Sequence, residues 1–129
     1  MADYPTDLRY TKDHEWLRAE ADRCRVGITR FAVDQLGDIT LVELPRPGTT
    51  IARGAAFGSV ESVKSVSDLY APISGTVVAV NEALKDSPEL VNSEPYGGGW
   101  MVEIEPGDRA EIDELLTPDA YTQSIDSAG

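Results

Sequence analysis

Residues 58–75 read GSVESVKSVSDLYAPISG. Outward from Lys64-Ser65 the residues pair by type: Val63 with Val66, Ser62 with Ser67, Glu61 with Asp68, and Val60 with Leu69. A segment that mirrors itself in this way predicts a two-stranded antiparallel ribbon. The Val63–Val66 and Val60–Leu69 pairs would hold it across the strands. Pro72 and Gly75 punctuate its base. The turn has no Asn-Gly, so its type is left open. The ribbon carries Lys64 at its tip, in a chain whose only other lysines are Lys12 and Lys85. An ordinary surface lysine is one reading. A rigid mount offering one exposed amine is also what a swinging prosthetic arm requires.

The flanking sequence supplies more strands. Residues 9–20 open a strand pair anchored by Trp16 and Leu17, with a turn at Ala21-Asp22 and a second strand from Cys24 to Ile28. Thr29 reads as the N-cap of a short helix through Phe31, Ala32 and Leu36, which Gly37 ends. Ile39–Leu44 is rich in β-branched residues and reads as a strand. Pro45, Pro47 and Gly48 form a turn, and Thr76–Val80 and Trp100–Glu105 are further strands. Ser87-Pro88-Glu89 marks a helix start. Gly97-Gly98-Gly99 reads as a flexible link, not a dinucleotide fingerprint, because it lacks the GxGxxG spacing. Asp108 with Glu111 suggests a capping box, and Ile112, Leu115 and Leu116 one helix face. A second short helix starts at Thr117-Pro118 and runs through Tyr121 and Ile125. Many short strands between Pro/Gly turns predict a mostly-β sandwich or flattened barrel with a small helical tail.

Composition sets limits on function. The chain has 129 residues, 41% hydrophobic and 26% charged, as expected of one globular domain. Its net charge of −12 argues against nucleic acid, since no basic stripe exists to displace phosphate counterions. It equally disfavours an anionic membrane surface and suits partners with basic patches. Residues 101–129 hold eight acids against Arg109, which reads as a solvated acidic face. No run is long enough to span a membrane and no targeting segment is seen, so a cytoplasmic location is expected, or a mitochondrial one if the chain is a trimmed form.

Catalytic constellations are missing. His14 is the only histidine. In Asp13-His14-Glu15, adjacent strand residues point to opposite faces and would not converge on a metal. Cys24, the only cysteine, allows no intrachain disulfide. Its neighbours Arg23 and Arg25 would favour a thiolate, but a small buried apolar residue is the preferred reading. The chain is not expected to be an enzyme.

The run VESVKSVSDLYAPISGTVVAVN closely resembles the lipoyl-lysine segment of the glycine cleavage H-protein family. YTKDHEW, VGITRFAVDQLGDITLVELP and NEALKDSPELVNSEPYGGGWM extend the resemblance over nearly the whole chain. A common alanine after the lysine is Ser65 here. The resemblance implies a barrel-sandwich hybrid of the lipoyl/biotinyl type. It also implies one lipoyl-carrier domain over residues 1–129, with 108–129 a helical C-terminal extension. Lys64 would be amide-linked to lipoate by a lipoate ligase or a lipoyl/octanoyl transferase. Glu61 and Gly75, three before and eleven after the lysine, would matter for that attachment. In the family a pyridoxal-phosphate glycine decarboxylase passes an aminomethyl group to the carrier. A tetrahydrofolate-dependent aminomethyltransferase then takes the methylene, and dihydrolipoamide dehydrogenase reoxidises the arm. The cationic amine of such a load calls for a carboxylate beside a parking cleft. Glu15 is the first candidate and Asp68 the second, with a solvated strand residue as the plainer reading of Glu15. A lipoyl donor to other lipoate-dependent complexes is the alternative function.

Overall fold

The computed structural model describes Pro5, residues 7–20 and residues 22–128. Its strands form two antiparallel sheets. The larger runs β1 (Arg9–Tyr10), β2 (Glu15–Ala19), β3 (Cys24–Ile28), β9 (Val102–Pro106), β8 (Gly75–Val80) and β5 (Thr50–Ile51), in that spatial order. The smaller has β6 (Ala56–Ser62) between β4 (Ile39–Glu43) and β7 (Val66–Tyr70). Val26, Val60, Leu69, Ile73, Val77 and Ile104 belong to one buried cluster drawn from both sheets. Burying each such side chain contributes about 1.5–3 kcal/mol. The mostly-β barrel-sandwich architecture expected from the sequence is the one found.

Five short helices decorate the sheets among the described residues: α1 (Arg30–Leu36), α2 (Ala83–Asp86), α3 (Leu90–Ser93), α4 (Ala110–Asp113) and α5 (Pro118–Ala128). Thr29 caps α1 as expected, its hydroxyl accepting from Ala32 N–H at 3.3 Å. Gly37 ends it at φ 82° and ψ −153°, a backbone conformation open to glycine. A second apolar cluster seats α5, with Tyr121 stacked on Tyr10 at 4.7 Å between ring centroids. The Trp16 indole N–H in that cluster donates to Pro95 O at 2.8 Å.

The ribbon forms, in a different register. Glu61 faces Val66, Val60 faces Ser67, Ser59 faces Asp68 and Gly58 faces Leu69. The expected partners are thus displaced by two residues, and the tip is Val63-Lys64 rather than Lys64-Ser65. A two-residue slip leaves every side chain on its original face, so Val60 and Leu69 remain buried. Turn chemistry decides the register. Ser62 Oγ accepts from the N–H groups of both Lys64 and Ser65 at 3.2 Å, and Ser62 N–H donates to Ser65 O at 2.8 Å. Val63 and Val66 do not clasp the ribbon; they are exposed at 68% and 63%.

Other expectations also change. Gly97–Gly99 is a hydrogen-bonded turn, tied by Asn81 Nδ2 to Gly98 O and by Gly99 N–H to Glu94 O, each at 2.8 Å. The Asp108–Glu111 capping box does not close, because Glu111 reaches across to Ser74 N–H at 2.7 Å. Leu116 leaves the predicted helix face to bridge Tyr10 as a strand-like contact. The acidic C-terminal region is only partly a solvated face: Glu103 is buried beneath Arg23 and Arg25, and Glu114 pairs with Arg53. β5 and α2 had no clear signal in the sequence. Of the turn expected at Ala21-Asp22, Ala21 lies outside the described residues.

Candidate functional site

Lys64 is exposed at the two-residue tip of the β6–β7 hairpin. The tip is held from two directions. Within the hairpin, Ser62 Oγ collects the turn N–H groups. From outside, Val63 N–H donates to Asp38 O at 3.1 Å. The corner that supplies Asp38 is itself pinned by α3: Asn92 Nδ2 donates to Gly37 O, and Asn92 Oδ1 accepts from Ile39 N–H, both at 2.9 Å. The lysine stem lies over Gly37, where a Cβ would meet Lys64 Cε at 3.4 Å. Asn92 and Gly37 thus support the tip. Gly37 was legible only as a helix stop, and Asn92 carried no signal, since its two bonds span 55 and 53 residues.

Glu61 is half-buried on the outer face of the small sheet, between Leu41 of β4 and Val66 of β7. Asp68 is exposed on the same face, opposite Ser59. It sits four residues from Lys64, about 14 Å along the strand. Gly75 is not near the tip. It opens β8 between Ile51 and Pro106, and a Cβ there would lie 2.2 Å from Glu105 O. That close approach is a packing reason for glycine, independent of attachment.

Glu15 is not a solvated strand residue, being 2% exposed. Its Oε2 accepts from Tyr70 N–H at 2.7 Å at the far end of β7, and Thr11 hydroxyl donates to Oε1 at 3.3 Å. Burial dominates its titration, opposed by the Tyr70 hydrogen bond, and pushes the carboxyl up to about 8. Glu15 lines a cavity of about 360 Å³ between the Thr11–Asp13 turn, Arg53-Gly54, Ala71-Pro72 and Glu114–Leu116. Asp13 and Glu114 add two further carboxylates to that wall, and Lys12 and Arg53 two cations. The structure therefore joins Glu15 to the base of the Lys64 hairpin through β7, while Asp68 stands on the outer face and Gly75 elsewhere.

The His14 ring is held by a hydrogen bond within the fold. The residue belongs to a turn rather than a strand and has φ 69°. Its Nδ1 hydrogen-bonds the Tyr121 hydroxyl at 2.8 Å, and that hydroxyl meets Thr29 Oγ1 at 2.7 Å. Burial lowers its pKa against the opposing charge of Asp13. Among the described residues no group of three or more His, Cys, Asp or Glu side chains could hold a metal ion. Cys24 is fully buried, and burial pushes its thiol up despite Arg109. No helix among the described residues is long and apolar enough to cross a membrane.

The sequence profile described as Glycine cleavage H-protein matches residues 8–128. The chain belongs to the glycine cleavage H-protein family. Family members this similar include the probable glycine cleavage system H protein of Haloarcula marismortui, 56% identical over 124 residues, spanning 96% of this chain and 98% of that one. The glycine cleavage system H protein of Geobacillus thermodenitrificans is 58% identical over 121 residues, spanning 94% and 95%. The crystal structure of a glycine cleavage system H protein from Mycobacterium marinum superposes with a TM-score of 0.88 at 43% identity, spanning 95% of this chain and 99% of that one. H-proteins are lipoyl carriers, components of the glycine cleavage system. The exposed Lys64 amine, on a braced turn, is chemically suited to that cofactor: acylation needs an accessible primary amine, and no ion pair among the described residues occupies it.

Proposed function

We propose that the chain carries lipoate as an amide on Lys64 Nζ and shuttles a one-carbon amine load within the glycine cleavage system. The single observation that supports this most is the exposed, twice-braced Lys64 tip in a chain of this family. Lipoate supplies, when bound, a dithiolane that accepts an aminomethyl group and later yields two reducing equivalents. The protein supplies the mount, the direction of the arm and shelter from water. Its partners are then a pyridoxal-phosphate glycine decarboxylase, a tetrahydrofolate-dependent aminomethyltransferase, dihydrolipoamide dehydrogenase, and a lipoate ligase or lipoyl/octanoyl transferase. The chain itself catalyses none of these steps. It works as one carrier unit, with residues 108–129 as a helical extension.

Within this reading Glu15 receives the cationic end of the load. A buried carboxyl with a pKa of about 8 is largely protonated at neutral pH. An ammonium arriving beside it favours the carboxylate, so docking releases a proton to solvent. Asp68, exposed along β7, offers a weaker, solvent-screened contact on the way. Gly75 influences loading only through packing against Glu105 O.

Peptide mass spectrometry after incubation with a lipoylating enzyme, lipoate and ATP tests the site. The lipoyl mass is expected on the Lys64 peptide, with Lys12 and Lys85 bare. Glycine–bicarbonate exchange with the decarboxylase tests the shuttle. Lys64→Arg is expected to abolish both while leaving thermal stability unchanged. A lipoyl group on Lys85 with Lys64 bare would overturn the site assignment. Full loading without exchange activity would favour the lipoyl-donor alternative.

A further inference from the structure

The exposed large apolar side chains among the described residues are Leu41, Val63, Val66 and Tyr70, at 40%, 68%, 63% and 36%. All four lie on the small sheet or its hairpin turn. Three surround the tip. Leu41, Glu61 and Val66 occupy one cross-strand row on the outer face, and Val63 adjoins Lys64 in the turn. A bulge explains Leu41. The register shifts between Ile39 and Leu41, so Ile39 and Val42 are both buried while Thr40 and Leu41 both face out. The next row carries Glu43, Ser59 and Asp68. Across β4, β6, β7 and the turn, Lys64 is the only cation, against the carboxylates of Glu43, Glu61 and Asp68. The face therefore sets apolar side chains around the lysine, with Glu61 between Leu41 and Val66 and with Glu43 and Asp68 in the next row.

From this arrangement we infer that the outer face of β4–β6–β7 is the docking surface for the enzyme that acylates Lys64, which presents apolar side chains interspersed with basic residues. The inference rests on Lys64 being the lipoyl attachment site. The occupant follows from the position of the reacting atom. An acylating enzyme must bring its activated carboxyl to Nζ itself, and so must close over Val63, Val66 and Leu41. Enzymes that work on the far end of the arm need to reach only the dithiolane, an arm's length from Nζ. With an acyl-adenylate donor, Nζ attacks the carbonyl carbon and the amide C–N bond forms. The acyl C–O bond to phosphate breaks, AMP leaves, and the amine proton passes to solvent. Apolar contact at Leu41, Val63 and Val66 contributes affinity, and the carboxylates among them speed encounter with a basic partner.

The experiment follows lipoyl loading of the unmodified protein by intact mass, using a purified lipoate ligase, lipoate and ATP. Leu41→Lys replaces an apolar contact with a cation facing a basic partner and is expected to lower kcat/KM for loading by about tenfold or more, chiefly through KM. Leu41→Thr, which keeps a strand-forming residue, is expected to give a smaller loss in the same direction. Glu43→Lys is expected to slow loading and flatten its salt dependence. Acetylation of Lys64 by acetic anhydride, which needs no docking, is expected to be unchanged in all three. Variants already loaded are expected to retain glycine–bicarbonate exchange. Loading of both Leu41 variants at the parent rate would overturn the inference, as would equally slowed chemical acetylation, or lost exchange with normal loading. A parent that never gains a lipoyl group would refute the attachment site as well; a loaded parent with unaffected variants would refute only the docking surface.

Discussion

Replacing Glu15 by glutamine isolates the cost of keeping a carboxylate in the seam between the two sheets. The carboxyl is 2% exposed and titrates at about 8, against 4.5 for the ordinary side chain. The folded protein therefore holds this proton through a pH range in which the unfolded chain has released it. Stability from this group is fully present below about pH 4.5 and is lost as pH rises from there to about 8. At 1.36 kcal/mol per pH unit, the loss is about 3 kcal/mol by pH 7 and about 5 kcal/mol above pH 8. Glutamine keeps an oxygen for Tyr70 N–H but never ionises. Glu15→Gln is thus expected to match the parent near pH 4.5 and to exceed it by about 3 kcal/mol at pH 7. Urea unfolding at pH 5, 7 and 8.5, followed by tryptophan fluorescence, gives the difference directly. Trp16, fully buried two strand positions from the Thr11–His14 turn, is a suitable reporter. Parallel stability curves for the two proteins would refute the argument, because they would mean that Glu15 ionises in the folded state as freely as in water. In the loaded carrier a docked amine is expected to shrink the difference, since the carboxylate then has a counter-charge.

Glu103 titrates in the opposite sense. Burial alone would raise its pKa, but hydrogen bonds from Arg25 at 2.9 Å and Arg23 at 3.0 Å outweigh burial and lower it. Its contribution is present above the ordinary carboxylate range and lost as pH falls through its depressed value. Glu103→Gln is expected to cost about 1–3 kcal/mol at pH 7 and progressively less as pH falls below the ordinary carboxylate range, as read by urea unfolding over a pH series; a cost that does not shrink with falling pH would count against the ion-pair account. Gly37→Ala is expected to lower stability by about 1–3 kcal/mol, because φ 82° with ψ −153° is strained for any side chain. Its Cβ would meet Lys64 Cε at 3.4 Å, an ordinary contact, so loading is expected to change only as far as the strained corner itself shifts; a protein as stable as the parent would show that the corner relaxes freely.

Local chemistry was enough for much of this molecule. The N-cap Thr29 and terminal Gly37 bracket α1, the β-branched run 39–43 forms β4, and the serine-valine mirror around Lys64 makes a hairpin; each depends on residues close in the chain. The lysine at the tip was legible for the same reason, since a hairpin apex is exposed in any fold. Faces also survived the error in register, because a two-residue slip preserves the alternation. Partners did not, since the Ser62 hydroxyl, not the pairing of like side chains, closes the turn. What tertiary structure alone decided is the burial of groups that look solvated in sequence. Glu15 becomes a proton-holding carboxyl only because the closing sheets bury it, against the opposing hydrogen bond from Tyr70 N–H, 55 residues away along the chain. Glu103, one of eight acids in the tail, is an internal brace because β3 lies beside β9 and sets two arginines over it. Asn92 pins the corner beneath Lys64 through contacts more than fifty residues long. A charge or amide has no periodicity that reports its surroundings; its desolvation, and hence its chemistry, is determined only when distant strands are brought together.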